Sequence, residues 1–163
     1  MSNFFRDTMA KQLRKLQNEG QGMKVNFEEK LSKINEENAF SEAQRGIHSV
    51  AQIIAHSTKL KIEALKNLEE GKISSSKKEP SEWVDNKILK EKGWRQIKKE
   101  FEDAQLDLSN KFVTLNNIAH GQAYNDQDHE REYNLSFTLQ DILQHDHYHL
   151  GQLSMVIRML EVK

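Results

Sequence analysis

The stretch Leu139-Gln140-Asp141-Ile142-Leu143-Gln144-His145-Asp146-His147-Tyr148-His149-Leu150-Gly151-Gln152-Leu153 decides the fold. Its three histidines alternate, and on a β-strand all three would share one face. The apolar residues around them follow another period. Leu139, Ile142, Leu143, Leu150, Leu153, Ile157 and Leu160 recur at helical intervals. A helix is therefore predicted from about Thr138 to Leu160, with Thr138 and Asp141 as its cap. Successive helical residues turn by about 100°. His145 and His149 then lie about 40° apart, one turn along, while His147 points to roughly the opposite side.

Two histidines four residues apart on a helix can direct ring nitrogens to one ion. They sit at the edge of the apolar stripe, where a pocket between helices would be backed by core. Such a pair is also common as plain surface or boundary histidine. Two imidazoles underhold a metal, so a third ligand is needed. His56 is the best-placed candidate, because it too lies at the edge of an apolar helix stripe. His48 falls before the start of that helix, and His120 and His129 fall in a predicted loop.

Moving outward, three further helices are predicted. Phe5, Met9, Leu13 and Leu16 form a stripe within residues 3–18, which Gly20 and Gly22 stop. Asn26 and Glu29 form a capping-box variant before Phe27, Leu31 and Ile34, a segment that is a short helix or a continuation of the first after a break. Ser49 and Gln52 form a better one, opening a run that carries Val50, Ile53, Ile54, Leu60, Leu65 and Leu68. Trp94, Ile97, Phe101, Ala104, Leu108, Phe112 and Leu115 repeat at three- and four-residue intervals, which makes a helix of about six turns. Lys72–Lys92 is polar, holds the only proline, and reads as a crossover with a helical turn. His120–Asn134 reads as polar loop. The economical fold is all-α, a four-helix bundle with a long crossover between the second and third helices.

Composition bounds the chemistry. The 163 residues suit a single domain spanning 1–163. Lys and Arg number 24 against 25 Asp and Glu, for a net charge of −1. That balance argues against a generic nucleic-acid surface. There is no cysteine, so disulfides, cysteine metal sites and a cysteine nucleophile are excluded. Any metal must be held by His, Asp, Glu or main chain. Mean hydropathy is −0.81, and no apolar run approaches membrane-spanning length. Residues 1–15 lack the apolar core of a secretory signal. The expectation is a soluble, cytoplasmic protein without membrane partners.

Ile47-His48-Ser49-Val50-Ala51-Gln52-Ile53-Ile54-Ala55-His56 resembles the second-helix motif of the DinB/YfiT-like family. The Leu139–Leu153 stretch resembles its last-helix motif, His-x-x-x-His-x-Gly-Gln. Glu82-Trp83 and Gly93-Trp94 are similar to its middle region, so the likeness spans roughly residues 26–160. The resemblance implies a four-helix bundle whose His56, His145 and His149 bind a divalent metal, with Zn²⁺ or Ni²⁺ the leading choices. It also implies a metal-dependent thiol transferase or hydrolase acting on a small molecule, with a low-molecular-weight thiol as one candidate substrate and a homodimer as one candidate assembly. The alternative is a non-enzymatic binding module with a structural or vestigial metal. No general base accompanies the triad in the sequence.

Three further residues are candidates to support the ligands or line a pocket. Asp146 lies within the apolar stripe, where a carboxylate needs a partner. It either orients a ligand histidine or pairs with a nearby Lys or Arg. Gln152, one turn beyond His149, contacts a metal-bound group or substrate, or else only packs. Trp83 roofs the pocket or, as the favoured reading, plugs the bundle end. Gly151 reads as a site of close helix approach, Tyr148 as peripheral, and Lys59, Lys61 and Lys66 as a solvated face.

Overall fold

Two capping pairs start helices where the sequence places them. Asn26 Oδ1 accepts a hydrogen bond from the Glu29 backbone N–H at 2.7 Å. Ser49 Oγ accepts from the Gln52 N–H at 3.2 Å, and Gln52 Oε1 accepts from the Ser49 N–H at 3.1 Å, the reciprocal pattern of a capping box. The computed structural model of the chain describes residues 3–17, 26–70, 83–114, 123–126 and 131–161. Within these, the helices are α1 (Asn3–Gln17), α2 (Phe27–Leu31), α3 (Val50–Glu70), α4 (Asn86–Lys92), α5 (Trp94–Thr114) and α6 (Leu135–Glu161).

The regular secondary structure of the described residues is helical apart from one short antiparallel hairpin, β1 (Ala123–Asp126) and β2 (Arg131–Asn134), with Ala123 opposite Asn134. That hairpin replaces part of the expected polar loop. Its second strand runs directly into α6, which therefore starts at Leu135 rather than near Thr138. Thr138 sits inside the helix and does not cap it. His120 and His129 lie outside the described residues.

The crossover carries α4. Asp85 caps it by accepting from the Lys87 N–H at 2.7 Å, and Gly93 ends it at φ 84°, a backbone setting that favours glycine. The chain then turns at once into α5, whose first N–H, at Trp94, donates to Glu36 Oε2 at 2.9 Å.

Among the long helices, α5 and α6 each pack against both α1 and α3. The predicted stripes meet at the centre: Leu13 from α1, Ile53 and Ile54 from α3, Ile97, Phe101 and Leu108 from α5, and Leu153 from α6 are all buried. Phe27 and Leu31 of α2 join this core, the Phe27 and Phe101 rings lying 4.9 Å apart at 57°. Among the described residues, no helix is long and apolar enough to cross a membrane.

Candidate metal centre

Helix periodicity delivers three imidazoles to one place. His56 comes from the second turn of α3, and His145 and His149 come from consecutive turns of α6. One ring nitrogen from each lies within 4.8 Å of the others. His149 is only 2% exposed, while His56 and His145 are half-buried. The His56 ring centroid is 5.4 Å from that of His145 and 5.0 Å from that of His149. His147 faces elsewhere: its Nδ1 lies 2.7 Å from the Leu143 carbonyl oxygen, and the residue is exposed.

The donor set suits a metal ion. Gln152 Nε2 donates to the Tyr148 hydroxyl at 2.8 Å, which turns Gln152 Oε1 toward His149 Nδ1 at 2.7 Å. That nitrogen therefore carries the proton, and His149 Nε2 is left with a bare lone pair. It faces His145 Nε2 at 2.9 Å. Two such nitrogens must share one proton or one cation. Two nitrogens on a single zinc, at about 2.0–2.1 Å each, stand about 3.4 Å apart at a tetrahedral angle. An adjustment on the order of 1 Å in the widest pair would bring the triad to that geometry.

Electrostatics favour the neutral, ligating form. Burial, reinforced by His149, His56 and Lys61, pushes the His145 imidazole from 6.5 down to about 3. His149 is also pushed down, by burial first and then by Lys61, against the opposing hydrogen bond from Gln152 and the charge of Asp146.

The lowered His145 pKa makes stability depend on pH. Between about pH 6.5 and 3 the unfolded chain binds a proton at His145 that the folded chain refuses, so metal-free protein loses stability as the pH falls through that window. His145→Gln removes this one contribution. Urea unfolding at about pH 7 and about pH 5 should show the variant gaining on the wild type at the lower pH. Parallel losses in the two proteins would contradict the assignment.

Trp83 roofs the triad rather than plugging the bundle end. Its ring stacks on His56 at 4.4 Å and 20°, and on His48 at 3.6 Å and 13°. It meets His149 edge-on at 6.2 Å. Long-range hydrogen bonds hold the roof in place. Gln52 Nε2 donates to the Val84 carbonyl at 3.0 Å, and Ser49 Oγ donates to Asn86 Oδ1 at 2.6 Å. His48, passed over in the sequence because it precedes α3, thus backs the roof.

Asp146 resolves toward an ion pair. It is 1% exposed and accepts from the Lys61 ammonium, which is 2% exposed. Ser57 bridges them, its Oγ donating to Asp146 Oδ1 at 3.4 Å and accepting from Lys61 Nζ at 2.8 Å. Lys61 Nζ also lies 4.9 Å from the centre of the Phe101 ring. Desolvation holds the Lys61 ammonium below its ordinary pKa, against the opposing pull of Asp146. The solvated face expected at Lys61 is therefore incorrect: its stem crosses the core to reach a partner on α6. Lys59 and Lys66 are exposed.

Gly151 does not serve close helix approach, since a Cβ built there meets nothing within 4 Å. Tyr148 is 62% exposed, yet its hydroxyl fixes the Gln152 amide and its ring lies 5.2 Å from His149.

Comparison of the chain with protein-family models, with curated proteins and with solved structures gave no match.

Proposed function

We propose that this chain is a four-helix bundle of the DinB/YfiT-like kind. In this reading it is a metal-dependent small-molecule enzyme, of thiol-transferase or hydrolase type. The observation that carries the proposal is the convergence of His56, His145 and His149 from two helices. Three imidazoles leave coordination positions open, as catalytic sites do and closed structural sites do not. A divalent ion such as Zn²⁺ or Ni²⁺ would act as a Lewis acid, lowering the pKa of a thiol or water entering an open position. An external thiol would supply the sulfur that a cysteine-free chain lacks.

The chain's own residues prepare the site. Gln152 holds the proton on His149 Nδ1, so that Nε2 is free to ligate. Burial keeps His145 neutral near pH 7. Trp83 covers His56 and restricts water on that side.

The test uses tag-free protein loaded with Zn²⁺ or Ni²⁺. Cysteine or glutathione is offered with 1-chloro-2,4-dinitrobenzene, and p-nitrophenyl acetate is offered separately as a hydrolysis probe. Multiple turnovers that disappear on chelation, and in His149→Ala, are expected with one of the two. Saturable metal binding with no turnover of either would favour the non-enzymatic binding module.

A further inference from the structure

A cleft of about 690 Å³ opens beside the triad, between the start of α3 and the C-terminal half of α6. Ile47, Ile53, Met155, Val156 and Met159 supply its apolar wall. Among the described residues, no Lys, Arg, Asp or Glu lines it. Two other clefts differ in this respect: one is lined by Lys33, Glu37 and Glu42, another by Arg14, Glu28, Lys98 and Glu102. A charged ligand would find no counter-ion in the 690 Å³ cleft, whereas a neutral apolar group would lose little on entering. Its volume lies within the usual range for small-molecule sites, about 300–1,000 Å³.

Gly151 also lines the cleft, at an exposed position of α6. Glycine is the weakest helix former after proline, and one in mid-helix usually serves a close contact. Here the space a Cβ would occupy is open. That space opens onto the cleft, whose lining includes Gly151. The missing side chain exposes helix backbone to whatever occupies the cleft. None of the three triad histidines lines the cleft, but residues that support them do. Its wall residue Gln152 holds His149 at 2.7 Å, and its wall residue His48 stacks on Trp83, which stacks on His56.

We infer that this cleft binds a neutral, apolar or aromatic group, the part of the substrate held beside the triad while its reactive end meets the metal. The link to a substrate rests on the proposed function, but occupancy of the cleft can be measured without a metal.

The probe is N-phenyl-1-naphthylamine, an uncharged aromatic amine that fluoresces in apolar surroundings. It is titrated into the full chain as purified and after chelation. Saturable binding at one site is expected in both samples. Gly151→Leu, which puts a side chain into the open space beside Gly151, and Met155→Glu, which puts a charge on a rim residue that is 57% exposed, should each weaken it at least about tenfold. Met155 is a surface position, so its variant tests the cleft even if the first one folds poorly. Absence of saturable binding, or wild-type affinity in both variants, would overturn the inference. Metal titration of the same wild-type samples reports separately on the triad, so the two ideas can fail independently.

Discussion

Lys61→Met is expected to destabilise the protein by about 3–5 kcal/mol, a larger loss than almost any surface substitution could give. The methionine matches the lysine stem in length and apolar character, so packing against Phe27 and Phe101 changes little. What changes is Asp146, which is 1% exposed. Its Oδ1 loses the Lys61 ammonium and keeps only the Ser57 hydroxyl at 3.4 Å. Its Oδ2 already has no hydrogen-bond partner among the described residues. A buried carboxylate left in that state has lost the charge that offsets its desolvation. Removing both members should behave differently. Lys61→Met with Asp146→Leu leaves no orphaned charge, and such replacements are commonly neutral or stabilising by about 1–4 kcal/mol. Urea unfolding of the single and double variants checks both figures. A single variant within about 1 kcal/mol of wild type would mean that Lys61 does not compensate Asp146 in the fold.

The second large effect separates histidines that are neighbours in sequence. His56→Ala, His145→Ala and His149→Ala each remove one of three proposed ligands and should weaken metal binding by well over about 100-fold. His147→Ala should leave it within about threefold of wild type, because that ring sits against the Leu143 carbonyl on the exposed side of α6. Gln152→Ala falls between the two, with a loss of about 10–100-fold, since it frees the His149 tautomer without deleting a donor. Equal losses at His145, His147 and His149 would point to a loose histidine cluster instead of a built site. Isothermal titration of Zn²⁺ into the tag-free variants provides the comparison.

Much of this site was legible because a helix imposes its period on every residue it carries. The apolar rhythm of Trp94, Ile97, Phe101, Ala104 and Leu108 is the buried face of α5. The same geometry sets His147 apart from His145 and His149 in the sequence itself. Local capping was equally readable, since Ser49 and Gln52 are partners within one turn.

Contacts between distant segments were not readable in this way. Lys61 looked solvated because charged residues usually are, and its partner lies 85 residues away on another helix. Trp83 looked like an end plug because nothing within the crossover reveals that Gln52 and Ser49 anchor the segment over the triad. Gly151 reads as a tight helix contact, and only the neighbouring surface shows that the space beside it is open. The start of α6 was misplaced because β2 passes into the helix without an intervening loop.

X-ray absorption at the metal edge, on tag-free protein loaded with one equivalent of Zn²⁺, tests the central claim most directly. The account predicts a stoichiometric ion with three imidazole nitrogens at about 2.0–2.1 Å and at least one light-atom ligand from solvent. His149→Ala should lose an imidazole from that shell or fail to hold the ion. An all-oxygen shell, or a shell unchanged in His149→Ala, would contradict it.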